Sequence, residues 1–122
     1  MARVRGFPPI SRPDARILIL GSMPSRESLA RQQYYAHPRN SFWPILTAVL
    51  DIDDDSYAQR TAQVVRRGIA IWDVLQACYR SGSLDSAIRN AEVNDIAGLH
   101  LPRLVAIAHN GGESARHAAA VQ

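Results

Sequence analysis

The sequence predicts an α/β fold in three layers, with helices flanking a mostly parallel central sheet. Three observations carry this expectation. Short strand-like apolar runs alternate with longer segments of helical period, as in strand–helix–strand units. Residues 16–20 hold the continuous run Ile17-Leu18-Ile19-Leu20, bounded by Gly21, which suits a strand buried on both faces. A length of 122 residues fits a single domain, residues 1–122, large enough to bury a core.

In chain order, residues 1–15 are rich in Pro, Arg and Ser and read as an irregular arm, pinned to the body by Phe7. After the strand at 16–20, Gly21-Ser22-Met23-Pro24-Ser25 forms a turn, and Ser25 N-caps a short helix to about Arg31. Residues 32–40 are a loop, because Pro38 biases His37 away from helix. A helix over 41–50 follows, burying Phe42, Ile45, Leu46 and Val49, with Pro44 tolerated in its first turn. Residues 51–55 are an acidic turn, and 56–67 form a helix ended by Gly68. Residues 69–72 are the second strand, and Asp73 caps a short helix over 74–79. Ser81-Gly82-Ser83 breaks it; 84–90 is a helical piece, and Asn94 caps another to about His100. Residues 104–108 are the third strand, and a helix begins at Glu113 and continues toward Gln122.

Composition narrows the function. No apolar run is long enough to span a membrane, and the N-terminus lacks the apolar core of a signal peptide. The single Cys78 excludes an internal disulfide framework and a cysteine-ligated iron–sulfur cluster, and reads as a core residue in a reducing, cytoplasmic setting. The histidines lack metal-ligand spacing, so neither metal nor cofactor is expected. All 14 basic residues are Arg, and the net charge is +3. Guanidinium groups suit phosphate, but so small an excess says little alone.

Ligands in open α/β sheets bind at the carboxyl ends of strands, which places the Gly21-Ser22-Met23 loop at the expected site. The stretch Tyr34-Tyr35-Ala36-His37-Pro38-Arg39-Asn40-Ser41-Phe42-Trp43 packs aromatic, imidazole, guanidinium and amide groups together, which suits a pocket for a flat polar ligand. The Asn40 carboxamide can orient water or bond a base edge, yet its spacing from Phe42 favours an ordinary helix cap. Tyr34 and Tyr35 are stacking surfaces or plain packing. Asn110, before Gly111-Gly112, is either a base-reading amide or a turn residue. His37 and His109 read as structural; Arg39, Arg80 and Arg89, with Ser83, are candidate contacts to a phosphate backbone.

The blocks Gly21–Ser25, Gln32–Trp43, 68–75, 82–89 and 108–112 resemble, in the same order, the hypoxanthine-DNA glycosylase branch (family 6) of the uracil-DNA glycosylase superfamily. The resemblance implies a monofunctional DNA glycosylase that hydrolyses the N-glycosidic bond of deaminated bases, hypoxanthine first and uracil second. It makes Asn40 the catalytic residue, Tyr35 the stacking ring, Asn110 the base reader, and Gly21, Ser22 and Met23 the base-binding loop. Met23 stands where other branches carry a water-activating side chain. No lysine exists to form a Schiff base with the sugar. The superfamily's second motif and its closing strand and helix are not found before Gln122, so a C-terminally truncated chain is expected. Two other readings stay open: a small-molecule hydrolase using Ser22 or Ser25 with His37 or His109 and Asp73, and a non-catalytic DNA- or protein-binding domain. Oligomeric state is left open.

Overall fold

A computed structural model describes residues 3–52 and 56–117. It contains β1 (Arg3–Arg5), β2 (Ile17–Gly21), α1 (Arg26–Arg31), α2 (Phe42–Leu50), α3 (Tyr57–Arg66), β3 (Ile69–Asp73), β4 (Leu75–Tyr79), β5 (Arg89–Val93), β6 (Ala106–His109) and α4 (Gly112–Arg116). Short 3-10 turns occupy Asp85–Ala87 and Ala97–Leu99.

The centre is parallel. β2 lies between β3 and β6, with Leu20 opposite both Trp72 and His109. Its side chains face two ways, as the pleat requires. Leu18 and Leu20 join Met23, Ala70, Val74, Leu75 and Cys78 in one core. Ile19 and Ile71 face the other core, which α2 and α3 cover through Trp43 and Val64. The α/β class therefore holds, with antiparallel strands beside the parallel centre: β4 pairs antiparallel with both β1 and β5.

Several local expectations are corrected. Residues 74–79 are not a helix: β4 runs on from β3 after Val74, whose amide donates to the Gly21 carbonyl at 2.8 Å. Residues 89–93 are the strand β5 rather than the end of a helical piece. The arm is not wholly irregular, because Arg3–Arg5 pairs with β4 and Ile10 bridges to Ile71. Phe7 does pin it, edge-on to Tyr34 with ring centroids 5.1 Å apart. In α2 the buried residues are Trp43 and Thr47, one turn apart, while Ile45 and Val49 are 60% and 74% exposed. Asn94 caps no helix; its side-chain amide donates to the Asp73 carbonyl. The expected acidic turn and C-terminal helix fall partly outside the described residues. Ser25 and Ser56 cap α1 and α3 as their sequence positions require, each hydroxyl accepting from the amide three residues on. Gly68 follows α3 at φ +79°, a conformation that suits glycine.

Candidate active site

The carboxyl ends of the three parallel strands meet at one place. Gly21 ends β2 opposite Asp73, which ends β3. Asn110 follows β6, and its amide donates to the Leu20 carbonyl at 2.7 Å. A cavity of about 230 Å³ opens there, lined by Gly21, Ser22, Met23, Tyr35, Asn40, Ser83 and Asn110, together with Asp73 and Asp85. The strand-end residues and the 32–40 loop thus converge on one cavity. Asn40 and Asn110, 70 positions apart in the chain, line the same cavity.

Asn40 is held at the rim. Its Oδ1 accepts from the Phe42 amide at 2.8 Å, so it satisfies the first amide of α2 from one residue before the N-cap, Ser41, whose own side chain makes no capping bond. The bond also fixes the carboxamide, leaving the NH₂ and the second lone pair of Oδ1 to meet a ligand or water. Upstream, the His37 imidazole accepts from the Arg39 amide and closes the turn before it.

Tyr34 and Tyr35 divide their labour. Tyr34 is a structural post. Its hydroxyl donates to the Pro8 carbonyl at 2.9 Å, its amide donates to the Tyr57 hydroxyl, and its carbonyl accepts from the Trp43 indole. Tyr35 has φ 55°, a left-handed conformation that costs a non-glycine residue about 1–2 kcal/mol. Its ring stacks on Phe42, centroids 3.7 Å apart and planes 16° from parallel. One face of Tyr35 is thereby occupied. Phe42 belongs to the aromatic shelf, although its place in the sequence marks it only as a core residue of α2. The Tyr35 hydroxyl is buried and makes no well-formed hydrogen bond among the described residues, although the Asn110 carboxamide lies close enough to interact with it. Burial and then Asp73 push its phenol above the usual range, and the nearby Asn110 carboxamide opposes them.

Gly21 is required by close approach. A Cβ there would fall 2.6 Å from Asp73 Oδ1 and 2.8 Å from the Tyr35 hydroxyl. Asp73 is 4% exposed, and its Oδ2 has no hydrogen-bond partner among the described residues. Burial foremost, and the Asp85 charge after it, push its carboxyl up to about 7, against the pull of Arg80. The Ser83–Asp85 segment is latched to the loop after β2: Ser22 donates to Asp85 Oδ1 at 2.8 Å, and the Arg26 amide donates to the Ser83 hydroxyl.

The arginines differ in placement. Arg80 is corrected: its guanidinium is buried, donates to the Pro24 carbonyl and sits 3.8 Å from Asp85, out of reach of a DNA backbone. Arg39 and Arg89 are exposed and lie outside the cavity lining. Arg89 donates to the Ser86 and Ile88 carbonyls. His109 meets Ser114, whose hydroxyl donates to the Leu20 carbonyl, so it serves the docking of α4. Ser25 caps α1 and Ser22 is engaged by Asp85, so neither serine is paired with a histidine. Among the described residues no group of three or more His, Cys, Asp or Glu could hold a metal.

A second, apolar groove of about 310 Å³ adjoins the cavity, lined by Phe42, Ile45, Leu46 and Val49 and sharing Asn40 and Asn110 with it. Asp73 and Asp85 are carboxylates of the cavity to which the glycosylase resemblance assigns no role. A signal for Asp73 exists in the sequence, because it ends a parallel strand as Gly21 does.

Known proteins resemble the chain over nearly its whole length. The family model described as the uracil DNA glycosylase superfamily matches residues 8–119. A protein named hypoxanthine DNA glycosylase from Methanosarcina acetivorans is 38% identical over 117 residues, covering 93% of this chain and 74% of the relative. One of the same name from Methanosarcina barkeri is 36% identical over the same shares. The solution NMR structure of a Methanosarcina acetivorans protein, named as a candidate uracil DNA glycosylase, superposes with a TM-score of 0.88 at 36% identity, over 98% of this chain and 77% of that one.

Proposed function

Because this chain belongs to the uracil DNA glycosylase superfamily, we propose that it removes deaminated bases from DNA by hydrolysing the N-glycosidic bond, hypoxanthine first and uracil second. It is a hydrolase of the DNA-repair class. The observation that carries the reading is the convergence of Tyr35, Asn40 and Asn110 on one cavity at the strand ends.

A base inside a duplex is out of reach, so the nucleotide must turn out of the stack into the cavity. The Tyr35–Phe42 pair offers it a rigid aromatic wall. The Asn110 carboxamide, donor and acceptor at once, meets its edge, while Gly21, Ser22 and Met23 line the floor. Asn40 holds the water that attacks the sugar carbon, its carboxamide fixed by the Phe42 amide. Cleavage passes through positive charge on the sugar and negative charge on the base, so placing dipoles and water is the protein's main task. Arg39, Ser83 and Arg89 are the contacts to the DNA backbone in this reading. Ser83 lines the cavity, Arg39 adjoins Asn40 at its rim, and Arg89 is exposed at the start of β5.

The test is incubation with duplexes carrying inosine, uracil or xanthine, followed by alkali to cut abasic sites. Inosine should be cut fastest, and Asn40→Ala should slow it about 100-fold, the scale of one lost polar stabiliser. An Asn40→Ala protein as fast as the parent would remove Asn40 from the mechanism. A parent that cuts none of the three would overturn the function.

A further inference from the structure

Asp73 has a place in the cavity but no task in the reading above. Its carboxyl is almost wholly buried, lines the cavity and carries an oxygen, Oδ2, without a partner among the described residues. A buried polar atom left unbonded is expensive, and natural proteins seldom keep one without use. Folding does not explain it. The bond that ties Asp73 to Asn94 uses the Asp73 backbone carbonyl, not the side chain. Asp85, the other carboxylate of the cavity, is already engaged by Ser22 and flanked by Arg80.

A neutral carboxyl is a donor looking for an acceptor. Hypoxanthine presents ring nitrogens as acceptors, and a purine leaves its sugar more readily when one of them is protonated. The strand-end position puts Asp73 beside Gly21, at the base-binding floor, and on the same cavity as Asn40.

Building on the glycosylase reading, we propose that Asp73 is the general acid of the reaction, delivering its carboxyl proton to a ring nitrogen of the extruded hypoxanthine as the bond to the sugar breaks. The C1′–N9 electron pair passes to the base as the carboxyl O–H bond breaks and a ring N–H bond forms, so the base departs neutral. Water held at Asn40 adds its oxygen to C1′ and gives one proton to solvent. The Asp73 carboxylate then regains a proton from solvent. One water is consumed, and the enzyme returns to its starting state.

The charged and titratable groups acting on Asp73 are Asp85, Arg80, Tyr34 and Tyr35. Burial foremost, and then Asp85, favour the protonated acid and Arg80 opposes it, leaving the carboxyl at about 7. The donor form is then abundant in neutral solution, as efficient general-acid catalysis requires.

The experiment is single-turnover release of hypoxanthine from an inosine duplex between about pH 5.5 and 9, with parent, Asp73→Asn and Asp85→Asn. The parent rate should fall about tenfold per pH unit above the Asp73 titration. Asp73→Asn should be about 100-fold slower at the acid end and flat with pH, at unchanged affinity for the duplex. Asp85→Asn should move the fall to lower pH, a displacement that a merely structural role would not produce. A flat parent profile, or an Asp73→Asn protein that keeps the parent's rate and its fall, overturns the proposal while leaving the glycosylase reading intact. Should Asp73→Asn fail to fold by circular dichroism, the parent and Asp85→Asn profiles decide. A parent inactive on inosine, uracil and xanthine removes the glycosylase reading, and the general acid with it.

Discussion

The polar cavity and the apolar groove meet at Asn40 and Asn110 but are built on opposite terms. The cavity sits at the ends of three parallel strands, where buried polar atoms are left without well-formed hydrogen bonds among the described residues. The Tyr35 hydroxyl and Asp73 Oδ2 are both such atoms. The groove is lined by one face of α2, where Ile45 and Val49 stand largely in water. The two share Asn40 and Asn110 and differ in what else lines them: unbonded polar atoms in the cavity, aliphatic side chains in the groove. The proposed function puts the chemistry in the first, and substitutions in the two should then behave differently.

The largest contrast is expected from Asp73. Its carboxyl is raised from 3.8 to about 7 in the folded chain. Below about pH 4, folded and unfolded chains both hold the proton. Between there and pH 7 the unfolded chain loses it first, so stability falls as pH rises and levels off above pH 7. A rise of that size is linked to about 4 kcal/mol of stability at most. Urea unfolding at pH 4 and pH 8 should show parent losing more stability than Asp73→Asn over that interval, by up to this amount. Equal losses would mean that Asp73 is not held protonated. Gly21→Ala comes next. Its new methyl group would sit on Asp73 Oδ1 and the Tyr35 hydroxyl. Overpacking of this kind costs about 1–3 kcal/mol. Thermal melting should detect it, and base release should fall because both side chains must shift.

The parallel centre is legible in the sequence because Ile17-Leu18-Ile19-Leu20 is apolar on both faces and stops at a glycine. The strand-end rule then locates the cavity floor without any coordinates. β4 is not legible. Val74-Leu75-Gln76-Ala77-Cys78-Tyr79 is a short apolar run, and periodicity cannot separate a buried strand from a helix at that length. What decides it is tertiary: β1 and β5 are available on either side to pair with it. The buried face of α2 escapes the sequence for a similar reason. Trp43 is held inward by its indole bond to the Tyr34 carbonyl, which turns Ile45 and Val49 outward. Asn40 is legible twice, as a cap from its spacing and as a site residue from resemblance; its side chain accepts from the Phe42 amide and lines the cavity. Asp73 reads from sequence as a helix cap or as the orienting acid of a serine hydrolase. Its pairing with Gly21 at the floor of the cavity is invisible until the strands are in register.

A smaller contrast lies inside the aromatic pair. Tyr34→Phe loses the bond to the Pro8 carbonyl and should cost about 1 kcal/mol. Tyr35→Phe removes a buried hydroxyl that makes no well-formed hydrogen bond and should stabilise the fold by up to about 1 kcal/mol. Opposite signs at adjacent positions are the expectation, read as shifts in the urea midpoint. Two losses of equal size would show that the Tyr35 hydroxyl is bonded in solution, and the cavity would then be less polarised than described.

The smallest effect is expected in the groove, and it is the sharpest check on which pocket receives the base. Val49 is 74% exposed, so Val49→Ser removes little buried apolar surface. Val and Ser also rank close in helix propensity, so α2 should be unperturbed. Stability should stay within about 0.5 kcal/mol of the parent, as for ordinary surface changes. Hypoxanthine release should remain within about twofold, because a ligand bound at the strand ends does not reach this turn of α2. If Val49→Ser instead slows release by more than about tenfold without loss of stability, the extruded base lies along α2. Asn40 and Asn110 would then serve the groove they also line, and the strand-end cavity would lose its claim to the chemistry.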